Sequence, residues 1–208
     1  MYILYGRPNT GSVPVEALLA LLKVPATITD VIKTGTGSTP DWFLALNPRG
    51  EVPALRLPDG SVMTESAAMM IYLADAHPQA GLAPAITSPA RATYLRWMVY
   101  LAASPYTSDL RLYYPDRYST DPTHAPAIKA KASADLAHDF AVMAAQLGVG
   151  PYILGQTFSA VDIYAATLIT WSDDMEGLFA KHPNLHQLYL TVSENPVIRK
   201  IWDRQELA

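Results

Sequence analysis

The strand signal in this chain stops near residue 76, and that limit constrains the fold more than any other feature of the sequence. Before it, short β-type runs alternate with helical periodicity. Residues 2–5 form an apolar run ended by Gly6 and Pro8. Residues 13–22 read as a helix, with Pro14 tolerated because it lies in the first turn. Residues 26–32 alternate and are β-branched, so they read as a strand. Residues 33–39, rich in Gly, Thr and Ser, read as a loop, and residues 41–46 as a helical turn closed by Asn47-Pro48. Residues 54–57 and 61–63 are strands around Asp59-Gly60, a two-residue hairpin signal. A helix over 65–75 completes the order β-α-β-α-β-β-α. Residues 77–84 are turn-rich, and helices alone follow. One runs from 89 to about 114 with a kink at Pro105. Others cover 126–147, 160–171, 183–193 and 196–204. The expected organisation is an α/β domain over 1–78, a linker over 79–86 and an all-α helical bundle domain over 87–208.

Composition removes several function classes. The net charge is −4, which fits neither a nucleic-acid nor an anionic-membrane partner. No run of 18 apolar residues is present, so no membrane span is expected. The chain opens on a strand pattern rather than a basic and then apolar leader, so the expected compartment is cytoplasmic. There is no cysteine, hence no disulfide, no protein thiolate and no zinc–thiolate site. Any sulfur chemistry belongs to a thiol brought from outside. No phosphate loop, Gly-x-Gly-x-x-Gly or Gly-x-Ser-x-Gly occurs, which leaves no nucleotide cofactor and no serine hydrolase to expect. His182 and His186 have i,i+4 spacing, but His182 precedes Pro183 and no third ligand is suitably spaced, so no metal is expected.

The most specific segment runs from Asn47-Pro48-Arg49-Gly50-Glu51-Val52-Pro53-Ala54-Leu55 through Asp59-Gly60 to Thr64-Glu65-Ser66-Ala67-Ala68. A cis bond before Pro53 would turn the Val52 N–H and C=O outward, where an extended peptide can pair with them as an added strand. Glu65 and Ser66 stand at a helix start, whose free N–H groups and positive dipole end suit a carboxylate. Ser66 adds a hydroxyl, and Glu65 can take an ammonium. Together they read an amino-acid head and a peptide backbone. The plain alternative is a hairpin followed by a capped helix.

This pattern resembles the glutathione S-transferase superfamily, bacterial and serine/cysteine-class-like, and the resemblance extends over the whole chain. Residues 47–68 carry Asn-Pro-x-Gly-x-Val-Pro-x-Leu, then Asp-Gly, then x-Glu-Ser-x-Ala, and residues 151–163 resemble the family's buried helix start. In that start, Ser159 and Asp162 form a structural capping pair. The resemblance implies a thioredoxin-like first domain, glutathione as co-substrate and a homodimer. It assigns the cysteinyl backbone of glutathione to Val52 beside Pro53, and the γ-glutamyl end to Glu65 and Ser66. Position 51 departs from the pattern, being Glu51 where a cation is often found. The glycyl carboxylate then falls to Arg49, to a residue of the other subunit or to a backbone donor.

The catalytic position falls in the loop Pro8-Asn9-Thr10-Gly11-Ser12. The task is to keep glutathione sulfur ionised, since a thiol with a pKa of about 8.5 is mostly protonated near neutrality. A hydroxyl donor and helix-start N–H groups favour the thiolate. Thr10 matches the family's catalytic serine position and Gly11 its cysteine position. Ser12 is the second choice and Tyr5, at the end of the first strand, the third. The ordinary reading of these residues is loop, cap and core. The electrophile is expected against the long helix, at Tyr100, Ser104, Tyr106, Arg111 and Tyr114, whose rings and hydroxyls suit a planar apolar molecule. The implied reaction is conjugation of the glutathione thiolate to a hydrophobic electrophile, as in detoxification. Its rivals are a glutathione-binding carrier or regulator and a glutathione-dependent reductase, peroxidase or isomerase.

Overall fold

The computed structural model describes residues 1–35 and 37–207. Thr36, in the expected loop 33–39, and Ala208, at the end of the expected helical domain, lie outside the described residues. The first elements are β1 (Tyr2–Gly6), α1 (Ser12–Leu22), β2 (Ala26–Asp30), α2 (Asp41–Leu44), β3 (Ala54–Arg56), β4 (Val62–Thr64) and α3 (Ser66–Ala76). Helices α4 (Ala90–Ala103), α5 (Pro105–Tyr113), α6 (Ala125–Gln146), α7 (Ala160–Ile169), α8 (Met175–Lys181), α9 (Pro183–Ser193) and α10 (Pro196–Arg204) follow. The chain divides into two compact units, Met1–Ile86 with Val192–Ala208, and Thr87–Thr191.

The first unit has the expected thioredoxin-like order. Its sheet runs β2-β1-β3-β4, with β1 parallel to β2, β3 antiparallel to β1, and β4 antiparallel to β3. Alternation along β1 sends Tyr5 to one face with Val31, Phe43 and its partner Ala54. Leu4 and its partner Leu55 are fully buried on the other face. An added Cβ at Gly6 would lie 2.5 Å from both Cβ and Oγ of Ser12. The end of β1 therefore touches the start of α1 because residue 6 has no side chain. The turn between β3 and β4 is longer than the expected two residues. Leu57 N donates to Ser61 O at 2.8 Å, and Gly60, at φ +91°, donates its N–H back to Leu57 O at 3.0 Å. The carboxylate of Asp59 holds Ser61 N at 2.9 Å, which fixes the wider turn.

The last helix departs from the expected domain 87–208, since α10 packs on α1 in the first unit. Helix α10 buries Ile198, Ile201 and Trp202, and its end also answers a buried carboxylate. Glu16 of α1 is 6% exposed, pairs with the Arg204 guanidinium and accepts from Gln205 Nε2 at 2.8 Å. A carboxylate taken out of water needs such partners, and here they come from the far end of the chain.

In the second unit, the single kinked helix expected over 89–114 is two helices. Ser104 at φ −117°, ψ −79° separates them, and Pro105 opens α5 where its missing N–H costs nothing. Helix α8 was not legible in the sequence, because Gly177 depresses helix propensity. It starts because the Asp174 carboxylate accepts from Gly177 N at 2.8 Å. Helix α7 is buried along its whole length. Its capping box is Ser159 with Asp162, and Asp162 also accepts from Ile153 N at 2.7 Å.

One buried carboxyl group in this unit has no such support. Asp109 of α5 is 3% exposed, and neither of its carboxylate oxygens has a hydrogen-bond partner among the described residues. Burial first, and then the charge of Asp173, push its pKa from the ordinary 3.8 up to about 8.

Two measurements follow. Gly6→Ala should destabilise the fold by about 1–3 kcal/mol in urea unfolding, because Ser12 cannot retreat without shifting α1. Between pH 3.8 and about 8 the folded chain holds the Asp109 proton that the unfolded chain has lost. Stability from this group therefore falls as pH rises through that window, by up to about 1 kcal/mol per unit. Relative to the parent, Asp109→Asn should gain stability as pH is raised from 5 to 8. Urea midpoints that differ by the same amount across that range would contradict this.

Candidate functional site

Sheet register decides which segments meet. Tyr5 pairs with Ala54, and Ala54 with Thr64. The chain leaving β1, the chain arriving at β3 and the chain leaving β4 therefore lie at one end of the sheet. These segments are residues 7–12, 52–53 and 65–66, and they contain the residues singled out in the first unit, apart from Tyr5 and Arg49.

The Val52–Pro53 peptide bond is cis. Ladder pairing begins only at Ala54, so the Val52 N–H and C=O fall outside it. Neither has a backbone partner among the described residues. Pro53 is buried just ahead of the strand, where its missing N–H removes no ladder bond. The loop before it is shaped from inside by Asn47, which is 4% exposed. Asn47 Nδ2 donates to Glu51 O at 2.7 Å, and its Oδ1 accepts from Arg49 N at 3.2 Å. Sequence reasoning gave Asn47 no role beyond the motif, although an Asn-Pro pair is a turn signal. Gly50 sits at φ +66°, where an added Cβ would also approach Leu44 Cδ2 to 3.0 Å.

Arg49 does not stand alone. Its guanidinium Nη2 lies 3.0 Å from Glu51 Oε2, both side chains being exposed. The hydrogen bond that Arg49 donates to Glu51, and then the Glu51 charge, raise the Arg49 pKa. The cation is thus shared with the acid two residues on.

Glu65 adopts φ +68°, ψ 105°, a left-handed region that strains a residue with a side chain by roughly 1–3 kcal/mol. Its side chain is exposed and makes no cap on α3. Ser66, the first residue of α3, is 8% exposed. The first-turn N–H groups of this helix are left without a side-chain cap, a geometry suited to an anion.

Two hydroxyls meet over one carbonyl in the loop after β1. Thr10 Oγ1 is 2.8 Å from Arg7 O, Ser12 Oγ is 3.0 Å from the same oxygen, and the hydroxyls are 2.9 Å apart. Ser12 Oγ also accepts from Arg7 N at 3.3 Å, and Thr10 Oγ1 from Ser12 N at 3.4 Å. Ser12 is 2% exposed, whereas Thr10 is half-buried. Each hydroxyl has one proton to give. If Ser12 supplies Arg7 O, the Thr10 proton is free for a group outside the loop. The reverse assignment gives no such donor, since Ser12 has almost no surface. Tyr5 is 7% exposed, its ring packed near Phe43 and Trp42 at centroid distances of 6.1 and 6.0 Å. Its place is the core of the sheet face.

The five residues expected to form one cluster in the second unit are divided between faces. Tyr100 donates to Asp139 O at 3.0 Å, and burial pushes its pKa up to about 12. Arg111 donates to Ser108 Oγ at 3.0 Å and pairs with Asp135 at 3.3 Å. Both residues therefore serve the contact with α6. Tyr106 turns elsewhere, its ring 5.3 Å from Trp171 and 6.4 Å from Tyr164. Tyr114 is exposed under the Arg117 guanidinium, 4.2 Å from its ring centre. Ser104 marks the break between α4 and α5. Helical spacing explains the division, since residues 106 and 111 lie on opposite sides of one helix. Trp171, just past the end of α7, is an aromatic neighbour that the reading along the long helix does not include. His186 stacks on Phe179 with ring centres 4.4 Å apart.

Comparison with known proteins gives this geometry a context. Residues 12–76 match the family model of the glutathione S-transferase N-terminal domain, and residues 98–196 that of the C-terminal domain. Glutathione S-transferase GstB of Escherichia coli (strain K12) is 30% identical over 97% of each chain. The GST-like protein YncG of the same organism is 29% identical over the full length of both. A glutathione transferase homolog from sulfitobacter, solved with bound glutathione, superposes with a TM-score of 0.88 at 27% identity, covering 100% of this chain and 99% of its own. With both halves matched in order, and a relative of this identity aligned almost end to end, the chain belongs to the glutathione S-transferase superfamily.

Proposed function

We propose that the protein is a glutathione transferase that joins the sulfur of glutathione to a hydrophobic electrophile. The observation that carries this reading is the meeting of residues 7–12, 52–53 and 65–66 at one end of the sheet, set by the β1–β3–β4 register. Glutathione is an extended tripeptide with a free amino-acid head. Its cysteinyl backbone pairs with the open N–H and C=O of Val52 beside Pro53. Its γ-glutamyl carboxylate sits at the start of α3, near Ser66, and its ammonium near Glu65. The glycyl carboxylate takes a share of Arg49, in competition with Glu51.

Sulfur chemistry falls to the loop after β1. With Ser12 able to hold the Arg7 carbonyl, Thr10 turns its hydroxyl from that oxygen to hydrogen-bond the sulfur and so favours the thiolate. Threonine takes no proton here. The thiol proton passes to water, the thiolate attacks carbon, a carbon–sulfur bond forms, and the leaving group departs with its electron pair. The protein contributes thiolate stabilisation and proximity. Within the helical unit, Tyr106 and Trp171 form the aromatic pair best suited to a planar apolar molecule. The working form is a cytoplasmic homodimer, as the family resemblance implies.

With glutathione and an activated aryl halide, Thr10→Ala should lower kcat about tenfold or more and leave the glutathione Kd within about threefold. Thr10→Ser should keep most of the activity. Ser12→Ala should cost less than Thr10→Ala. Full turnover in Thr10→Ala, with loss in Ser12→Ala or Tyr5→Phe, would overturn the assignment. Glutathione binding without a thiolate ultraviolet band would mark a carrier instead.

A further inference from the structure

The buried carboxylate that ties the end of the chain to α1 belongs to the helix that the sulfur-handling loop opens, about one turn beyond Ser12. Glu16 is four residues after Ser12, so the two share one face of α1, and both are buried. Helical side chains lean toward the N-terminus, which carries the Glu16 carboxylate back over the first turn. An uncompensated anion there opposes a second anion at the same helix end. The Glu16 side chain is itself buried, which lengthens the reach of its charge, although the Arg204 side chain is 53% exposed. The compensating cation is Arg204, which pairs with Glu16 while Gln205 Nε2 donates to it at 2.8 Å.

The remaining charges around α1 are few. From the loop after β1 comes Arg7, whose Nε is buried without a hydrogen-bond partner among the described residues. Tyr5 turns to the opposite face of the sheet. Helix α3, packed on α1, buries only uncharged residues, among them Ser66, Met69, Met70 and Leu73, with the exposed Glu65 ahead of it. Helix α10 contributes Arg204, while Arg199 and Asp203 pair with each other on its exposed side.

The geometry points to Arg204 as a positioning residue for the reaction. By neutralising Glu16 it keeps the amino end of α1 favourable to a bound thiolate, so the last helix tunes the acidity of glutathione sulfur without touching it. This rests on the thiolate reading of the Thr10 loop.

The test titrates the thiolate ultraviolet band of the full-chain protein saturated with glutathione, with glutathione affinity measured separately by calorimetry. Arg204→Gln should raise the titration midpoint by about half a unit or more, and Glu16→Gln should lower it. The double variant, a neutral Gln–Gln pair, should return it to near the parental value, and Arg204→Lys should hold it there. These opposite signs and the rescue separate a charge effect from loss of fold. If Arg204→Gln does not fold, Glu16→Gln and the double variant still decide. A midpoint unmoved by Glu16→Gln while glutathione remains bound overturns this inference and leaves the transferase reading intact. Failure of the parent to bind glutathione overturns both.

Discussion

The pairing of β1 with β3, and of β3 with β4, is the constraint on which the rest depends. Three contacts, Tyr5 with Ala54, Ala54 with Thr64 and Leu4 with Leu55, place three loop segments at one edge. A slip of one residue would exchange the two faces of β3. Leu55 would then face Val31 and Phe43, and Ala54 would face the side that buries Leu4. The hydrophobic core on both sides of β1 thus locks the register, and the register builds the site. The core residues that set stability therefore also position the segments of the proposed site.

Around that edge, polar groups are arranged with few left over. Asn47 holds the loop before Pro53, Ser12 and Thr10 share the Arg7 carbonyl, and Glu16 is answered by Arg204 and Gln205. Three features at that edge are informative. The Val52 backbone lies outside the ladder, the start of α3 has no side-chain cap, and the half-buried Thr10 hydroxyl shares the Arg7 carbonyl with Ser12. An extended peptide with a carboxylate and a sulfur complements these groups in kind. Asp109 is the exception, a buried acid in the helical unit that keeps its proton because nothing nearby supports its charge.

Much of this was legible in the sequence. Alternation, β-branching and turn residues located all four strands, because these signals are local. The segment 47–68 identified the Val52–Pro53 edge and the Glu65–Ser66 helix start, because it fixes turn and strand chemistry at set spacing. What stayed hidden depends on distant partners. The end of α10 answers Glu16, and nothing in residues 12–22 announces a guanidinium almost two hundred positions later. Arg111 and Tyr106 share a short stretch, yet the break at Ser104 and the packing on α6 send them apart. That Ser12 is buried while Thr10 keeps some surface depends on Gly6, which lets Ser12 sink against β1.

The most direct test of the account is a crystal structure of the protein with glutathione. The account predicts the cysteinyl backbone paired with the N–H and C=O of Val52, the γ-glutamyl head at Glu65 and Ser66, and the sulfur within about 3.5 Å of Thr10 Oγ1. Glutathione bound away from this sheet edge, or sulfur contacting Tyr5 while Thr10 still donates to the Arg7 carbonyl, would contradict it.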